Sequence, residues 1–129
     1  MKVMVVDDEE DVQSLFKQKF RKEIKAGKIE FHFSLSAKAA LDYLESHKKA
    51  SIVLILSDIN MPGMNGLELL RIIKQKFPVL KVFMITAYGD EKNYQTAMAY
   101  GADDYITKPV NFDIVKNKII NLGSIHNEA

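Results

Sequence analysis

Apolar residues recur along this chain with two alternating periods. Short apolar or alternating runs are typical of buried strands, whereas apolar residues three or four positions apart are typical of one helix face. The strand-like runs lie at residues 3–6, 29–35, 52–56, 82–85 and 105–107. Helical spacing follows each of them, at residues 12–24, 36–44, 67–77, 90–100 and 111–119. The pattern therefore predicts five successive strand-helix units.

Capping residues mark several of the predicted helix ends. Ser36 and Asn111 stand where an N-cap is expected, because their side chains can accept hydrogen bonds from the first free backbone N–H groups. Gly27, Gly101 and Gly123 follow the ends of the first, fourth and fifth helical stretches, where glycine commonly stops a helix. Residues 12–24 are accordingly predicted as one helix that ends before Gly27.

Strict alternation of strands and helices predicts a three-layer α/β sandwich, in which right-handed crossovers join parallel strands and helices cover both faces. The continuous apolar run at 52–56 suits a central strand that is buried on both sides. No linker or internal repeat divides the chain, so residues 1–129 are expected to form a single domain. The pattern leaves the strand order open.

Composition narrows the range of functions. The 18 basic and 17 acidic residues give a net charge of +1, which provides no reason to expect nucleic acid or an anionic membrane as the main partner. The absence of cysteine excludes disulfides, thiol catalysis and thiolate metal sites. The opening residues become acidic too early for a signal peptide, and no apolar run approaches the ~18 residues of a membrane span. A soluble, cytoplasmic protein is expected.

Six basic residues cluster on the first predicted helix and in the turn after it. Specific binding of nucleic acid would need an element that reads the bases, and the sequence contains no motif of that kind. A solvated helix face is the preferred interpretation. The members of this basic cluster are Lys17, Lys19, Arg21, Lys22, Lys25 and Lys28.

Polar residues follow four of the predicted strands. Asp7 and Asp8 follow the first strand, Asp58 the third, Thr86 the fourth and Lys108 the fifth. Because the carboxyl ends of parallel strands meet at one edge of the sheet, these side chains should lie together. Three carboxylates repel one another unless a cation joins them, and oxygen ligands suit Mg²⁺ or Mn²⁺. A carboxylate nucleophile beside a metal, a hydroxyl and a lysine suits phosphoryl transfer.

Each of these residues also has an ordinary structural explanation. The acids at 7–11 could cap a helix and complement its dipole, and an aspartate at a strand end is often a turn former. Thr86 alone would be a strand residue, and Lys108 alone a solvated charge. The functional interpretation depends on all of them falling at the same end of different strands.

Four stretches resemble the receiver domain of two-component response regulators, the CheY-like family. They are Asp7-Asp8, residues 58–66, Thr86-Ala87 and residues 101–109, and they occur in the order and approximate spacing of the family. The resemblance covers residues 1 to about 121. One departure is local: residues 25–28, before the second strand, make this segment a few residues longer than is usual.

The resemblance implies a flavodoxin-like (βα)5 fold with strand order 2-1-3-4-5. It implies that Asp58 is both the phosphoacceptor and a metal ligand. The other metal ligands would be Asp8 directly, Asp7 largely through water and the Asn60 backbone carbonyl. Lys108 would pair with the phosphoryl group, and the Lys108-Pro109 peptide bond would be cis.

The resemblance also implies a conformational switch, with Thr86 and Tyr105 at its hydroxyl and aromatic positions. A sensor histidine kinase, a phosphotransfer protein or a small phosphodonor would supply the phosphoryl group. The surface within residues 90–118 would then change its affinity for an output partner, with no binding to nucleic acid or membrane. Asn60 and Tyr88 occupy positions that commonly tune the lifetime of the phosphorylated state.

Two other functions remain open from the sequence. The first is an aspartate-nucleophile phosphatase on a similar scaffold, which would usually carry a second acid two residues after the nucleophile. Asn60 occupies that position here, which argues against a phosphatase. The second is a receiver that docks partners without phosphorylation, although the complete set of polar site residues argues against this.

Overall fold

Strands and helices alternate throughout the part of the chain that the computed structural model describes, residues 1–46 and 51–128, with side chains described as far as residue 122. The strands are β1 (Lys2–Val6), β2 (Glu30–Ser34), β3 (Ile52–Asp58), β4 (Lys81–Thr86) and β5 (Asp104–Thr107). The helices are α1 (Glu10–Lys19), α2 (Arg21–Lys25), α3 (Ala37–Ser46), α4 (Gly66–Lys76), α5 (Glu91–Ala99) and α6 (Phe112–Glu128).

All strand pairs in the sheet are parallel, in the order β2-β1-β3-β4-β5. This order confirms the flavodoxin-like fold predicted from the sequence. The register aligns the strand ends, since Val6 lies opposite Ser57, Asp58 opposite Ile85, and Thr86 opposite Thr107. The residues that follow the strands therefore emerge at one edge of the sheet.

The sheet separates two hydrophobic cores. Helices α3, α4 and α5 cover one face, where Met4 and Ile55 are buried against Leu70. Helices α1 and α6 cover the other face, where Leu54 and Leu56 lie in the second core. Both faces of β3 are thus buried, as its continuous apolar run predicted. Burial of each of these aliphatic side chains contributes about 1.5–3 kcal/mol to the stability of the fold.

Next to β2 the second core is aromatic. Five phenylalanines contact one another there, with ring centroids 5.0–6.5 Å apart, mostly edge to face. They come from α1, from β2, from the beginning of α6 and from the residue that follows α1. This aromatic cluster consists of Phe16, Phe20, Phe31, Phe33 and Phe112.

Both predicted N-caps are confirmed. The Ser36 hydroxyl accepts a hydrogen bond from the Ala39 backbone N–H at 3.0 Å. The Asn111 side chain accepts from the N–H groups of Asp113 and Ile114 at 3.0 and 3.3 Å. Gly101, predicted as a helix stop, follows α5 with a φ of 96° that favours glycine.

Two predicted helix boundaries are wrong. The continuous helix over 12–24 is interrupted at Phe20, whose ψ of 18° ends α1 before α2 begins. Phe20 is buried and stands at a helical interval from the neighbouring apolar residues, so the apolar pattern continues across the break. The pattern alone therefore did not reveal the interruption. Gly123 was predicted to lie beyond the last helix, but α6 continues to Glu128. A glycine inside a helix costs only about 1 kcal/mol, so it does not always end one.

Candidate functional site

Three carboxylates meet where β1 and β3 end. Asp7 follows β1, and Asp58 is the last residue of β3. Asp7, Asp8 and Asp58 each place a carboxylate oxygen within 4.8 Å of the other two. Asp7 and Asp58 are buried, whereas Asp8 is exposed. The structure therefore brings together the three acids that the sequence predicted to share one edge.

Lys108 reaches the same cluster from the end of β5. Its ammonium group donates a hydrogen bond to Asp58 Oδ2 at 2.9 Å. The Asp58 side chain is 5% exposed and that of Lys108 is 42% exposed, so the ion pair joins a buried carboxylate to a partly exposed ammonium group. The Lys108 backbone N–H donates to the Thr86 carbonyl at 2.8 Å, which ties the lysine to the end of β4. The predicted cis bond between Lys108 and Pro109 is confirmed.

Backbone groups complete the hydrogen bonds of the buried acids. The Asn60 N–H donates to Asp58 Oδ1 at 3.3 Å, and the Glu9 N–H donates to Asp7 Oδ1 at 2.9 Å. Both Asp58 oxygens are therefore oriented, one by a backbone amide and the other by the ammonium group of a long side chain. This arrangement holds the carboxylate in one orientation before any reaction.

The electrostatics of the site favour an added cation. Burial raises the pKa of Asp7, and the charges of Asp58 and Asp8 raise it further, against the Glu9 N–H and the charge of Lys108. For Lys108, burial lowers the pKa, but the Asp58 hydrogen bond and charge outweigh this and leave the pKa raised. Lys108 therefore remains charged at neutral pH. Its single positive charge cannot balance the charges of the three carboxylates in the cluster.

The donor set suits a hard divalent cation. Carboxylate oxygens are ligands that Mg²⁺ and Mn²⁺ prefer. A divalent charge would relieve the repulsion among the three acids, which adds to burial in raising the Asp7 pKa. Asn60 lies beside these acids, since its N–H bonds to Asp58. Metal binding by Asp7, Asp8, Asp58 and Asn60 stays a prediction.

Gly66 allows α4 to begin directly against the end of β3. Its N–H donates to the Ile59 carbonyl at 2.8 Å, and a Cβ at this position would lie 2.0 Å from the Asp58 carbonyl oxygen. Asn65 caps the helix by accepting from the Glu68 N–H at 3.0 Å. This role of Gly66 was not predicted from the sequence. The Asn65-Gly66 pair at the start of a helical pattern was the available signal.

The two predicted switch residues border a small cavity beyond β4 and β5. Thr86 is buried at the end of β4, and Tyr105 of β5 is 38% exposed. The Tyr105 ring contacts Tyr94 of α5 edge to face, with centroids 4.5 Å apart. Thr86, Tyr94 and Tyr105 all line the cavity, whose volume is about 190 Å³. Tyr94 was not predicted to belong to this region, because the weak apolar pattern of α5 did not show which side faces β5.

Tyr88 lies in solvent. Its side chain is 86% exposed, so in this conformation the ring does not cover the carboxylates. Its predicted influence on the phosphorylated state would need the ring to move.

A family model described as the response regulator receiver domain matches residues 3–120 of this chain. The chain belongs to this family. The receiver domain is 37% identical over 108 residues to the response regulator protein FleR of Pseudomonas aeruginosa, covering 84% of this chain and 21% of FleR. It is 35% identical to a protein-glutamate methylesterase/protein-glutamine glutaminase of Pyrococcus horikoshii, covering 93% of this chain and 33% of that enzyme.

Solved structures agree with this assignment. A response regulator receiver domain protein from Clostridium thermocellum superposes with a TM-score of 0.79 at 29% identity, covering 96% of this chain and 97% of the other. The curated relatives are longer, since this receiver domain spans only 21% and 33% of the two named above.

Family membership identifies a phosphorylation-regulated signalling domain of two-component systems, rather than a classical enzyme. Receiver domains of response regulators interact with histidine kinases and output domains. No helix within the described ranges is long and apolar enough to cross a membrane.

Proposed function

We propose that Asp58 accepts a phosphoryl group in a Mg²⁺-dependent reaction and that the resulting aspartyl phosphate changes the affinity of this domain for an output partner. The donor would be a sensor histidine kinase, a phosphotransfer protein or a small phosphodonor. Residues 1–129 would act as one receiver domain. The observation that carries it is the 2.9 Å contact between Lys108 and the buried Asp58, beside two further carboxylates.

In the proposed reaction an Asp58 carboxylate oxygen attacks phosphorus. A P–O bond forms while the bond from phosphorus to the donor breaks, and the donor leaves with the electron pair of that bond. The Asn60 N–H and the Lys108 ammonium orient the carboxylate before the attack. A Mg²⁺ ion held by Asp7, Asp8, Asp58 and the Asn60 carbonyl would supply positive charge where the transferred oxygens are most negative.

Lys108 is suited to a second role after the transfer. Its partner changes from a carboxylate with one negative charge to an acyl phosphate with about two, so its ammonium should follow the phosphoryl oxygens. Lys108 is partly exposed and has a flexible stem, which leaves it room to move.

The phosphoryl group would also offer acceptor oxygens to the Thr86 hydroxyl at the end of β4. A movement of Thr86 toward the phosphoryl group would alter the cavity that it shares with Tyr94 and Tyr105. We propose that the partly exposed Tyr105 ring then repacks and changes the surface within residues 90–118. Such a switch shifts the populations of two states, and the output partner responds only if it binds them with different affinity.

Phosphorylation by acetyl phosphate tests this function. Intact-mass spectrometry should show one added phosphoryl group when Mg²⁺ is present and none when the metal is removed by EDTA. An adduct that forms equally without metal would contradict the proposed site. The same preparation incubated with p-nitrophenyl phosphate tests the phosphatase alternative, because repeated turnover would indicate an enzyme that acts on external substrates.

A further inference from the structure

A second surface feature lies along the outer edge of β2. It is a groove of about 820 Å³ between this strand on one side and α1 and α2 on the other. Its apolar walls include Ile24, Ile29, Phe31 and Phe33. The residues that line it include none of the polar site residues assigned to phosphoryl transfer. The sheet order places β2 at the edge opposite β5, so the groove is also separate from the switch region.

Within residues 1–46 and 51–128, β2 pairs with β1 alone, and its other edge is open. At one end of β2 the Glu30 N–H donates to the Met1 carbonyl at 2.8 Å, and at the other the Ser34 carbonyl accepts from the Asp7 N–H at 3.1 Å. Backbone groups in a strand alternate between its two edges, so Phe31 and Phe33 direct their N–H and C=O groups to the open side. The groove therefore borders backbone groups that can pair with another strand.

The rim of the groove is basic. Three basic residues line it, Lys17, Arg21 and Lys25. The single acid among its lining residues is Glu30. Lys17 Nζ lies 5.6 Å from the centre of the Phe33 ring, so its charge stands directly over the apolar wall. The three basic residues are half of the cluster seen in the sequence. Lys19, Lys22 and Lys28 are exposed but do not line the groove.

The long segment before β2 forms one end of the groove. Lys25 and Gly27 contribute to its lining, and Gly27 turns the chain with a φ of 72°. This is the stretch that was predicted from the sequence to be longer than is usual for the family. The groove thus depends on a feature that the phosphoryl-transfer site does not need.

We propose that this groove binds an extended acidic segment of a partner protein, which adds to the open edge of β2 as a further strand. The backbone of the segment would pair with Phe31 and Phe33. Successive side chains of a strand point to opposite faces, so the side chains on the face toward α1 and α2 would include both the apolar residues that enter the groove and the carboxylates that approach Lys17, Arg21 and Lys25. Main-chain pairing supplies affinity in this mode, and charge complementarity supplies selectivity.

Two other occupants fit these observations less well. A second copy of this chain would bring two sets of three basic residues together, and charged residues near a free edge discourage such pairing. A single-stranded nucleic acid would need open ring faces for its bases to stack on. Here Phe31 packs edge to face with Phe16 and Phe20, and Phe33 with Phe16, while Lys17 lies over the Phe33 ring.

The probe is a synthetic seven-residue peptide that carries a fluorophore. Its positions 1 and 7 are glutamate, positions 3 and 5 are valine and the others are threonine, so that one face of the strand presents both acidic and apolar side chains. Fluorescence anisotropy should show saturable binding to the wild-type domain. Lys17→Glu, Arg21→Glu and Lys25→Glu combined should weaken binding at least tenfold. The control combines Lys19→Glu, Lys22→Glu and Lys28→Glu, which changes the net charge equally and should retain most of the affinity. An equal loss of peptide affinity in both variants would overturn the groove assignment, because it would show that binding depends only on the net charge of the domain.

Two further measurements separate strand addition from the other occupants. A peptide with alternate N-methylated amides should bind at least tenfold more weakly, and the unmodified peptide should slow hydrogen exchange at the amides of Phe31 and Phe33. Equal binding of the N-methylated peptide would overturn strand addition. A dimer in sedimentation that excludes the peptide, or tighter binding of a poly-dT oligonucleotide at the same residues, would also overturn the proposal.

Discussion

Gly66→Ala is expected to destabilise the receiver domain and to displace the proposed phosphoacceptor. A Cβ at residue 66 would lie 2.0 Å from the Asp58 carbonyl oxygen, 2.8 Å from Ile59 Cα and 2.9 Å from the Asp58 carbonyl carbon. Favourable contacts between such atoms are roughly 3.5 Å apart, so the beginning of α4 and the end of β3 must separate by more than about 1 Å. The clashing atoms are backbone, and no side-chain rotation can relieve the overlap.

Overpacking of a buried position costs about 1–3 kcal/mol, and the backbone location places Gly66→Ala near the upper end of that range. In a domain of this size each kcal/mol lowers Tm by roughly 4 °C, so a decrease of about 10 °C is expected. Phosphorylation of the folded variant by acetyl phosphate should also slow, because the displaced carbonyl belongs to Asp58 itself.

Gly27→Ala is the matched control. Residue 27 has a φ of +72°, and no atom lies within 4 Å of the position that the alanine methyl group would take, so only left-handed backbone strain of about 1–2 kcal/mol is expected. This control should keep the wild-type phosphorylation rate. Denaturant unfolding of both variants measures the difference. A Gly66→Ala domain at least as stable as Gly27→Ala, with an unchanged phosphorylation rate, would refute the close-packing explanation.

Three other predictions concern the site. Asp8→Ala should weaken Mg²⁺ binding because it removes an anionic ligand, although lower repulsion around Asp58 should offset part of this loss. An unchanged affinity in a Mg²⁺ titration would contradict the metal assignment. Lys108→Ala should leave the fold intact but uncouple phosphorylation from the conformational change, so wild-type NMR shift changes on phosphorylation would argue against its role. Asn60→Ala should lengthen the lifetime of the phosphorylated state by removing a side chain that can orient water, and Tyr88→Ala should shorten it by opening the approach. A tenfold change in the dephosphorylation rate corresponds to about 1.4 kcal/mol in the activation barrier. The Tyr88 side chain is 86% exposed, so a wild-type decay rate for Tyr88→Ala would mean that the ring stays in solvent with and without the phosphoryl group.

The sequence predicted the succession of elements well, because burial dictates their apolar period. The continuous run at 52–56 predicted a strand covered on both faces, and β3 lies at the centre of the sheet. Ser36 and Asn111 marked their helix starts correctly, since their side chains satisfy N–H groups within the same turn. The strand order required the family resemblance, because periodicity does not show which strands are neighbours.

Features that depend on distant contacts were harder to predict. The break at Phe20 keeps its ring in the aromatic cluster, so the helical spacing continues through it. The placement of Gly66 against the Asp58 carbonyl, and of Tyr94 against Tyr105, arises only when α4 and α5 pack on the sheet. The site acids were predictable as a group because each follows a strand, whereas the hydrogen bond between Lys108 and Asp58 could be inferred only from the family.

The most direct test of the central claim locates the phosphoryl group. Wild-type protein, Asp58→Asn and Asp42→Asn are incubated with acetyl phosphate and Mg²⁺ and compared by intact-mass spectrometry. Asp42 is exposed on α3 and controls for the loss of one carboxylate. Wild type and Asp42→Asn should each gain one phosphoryl group, and Asp58→Asn should gain none, because an amide is a poor nucleophile. An undiminished phosphoryl adduct on Asp58→Asn would contradict the assignment of Asp58 as the phosphoacceptor.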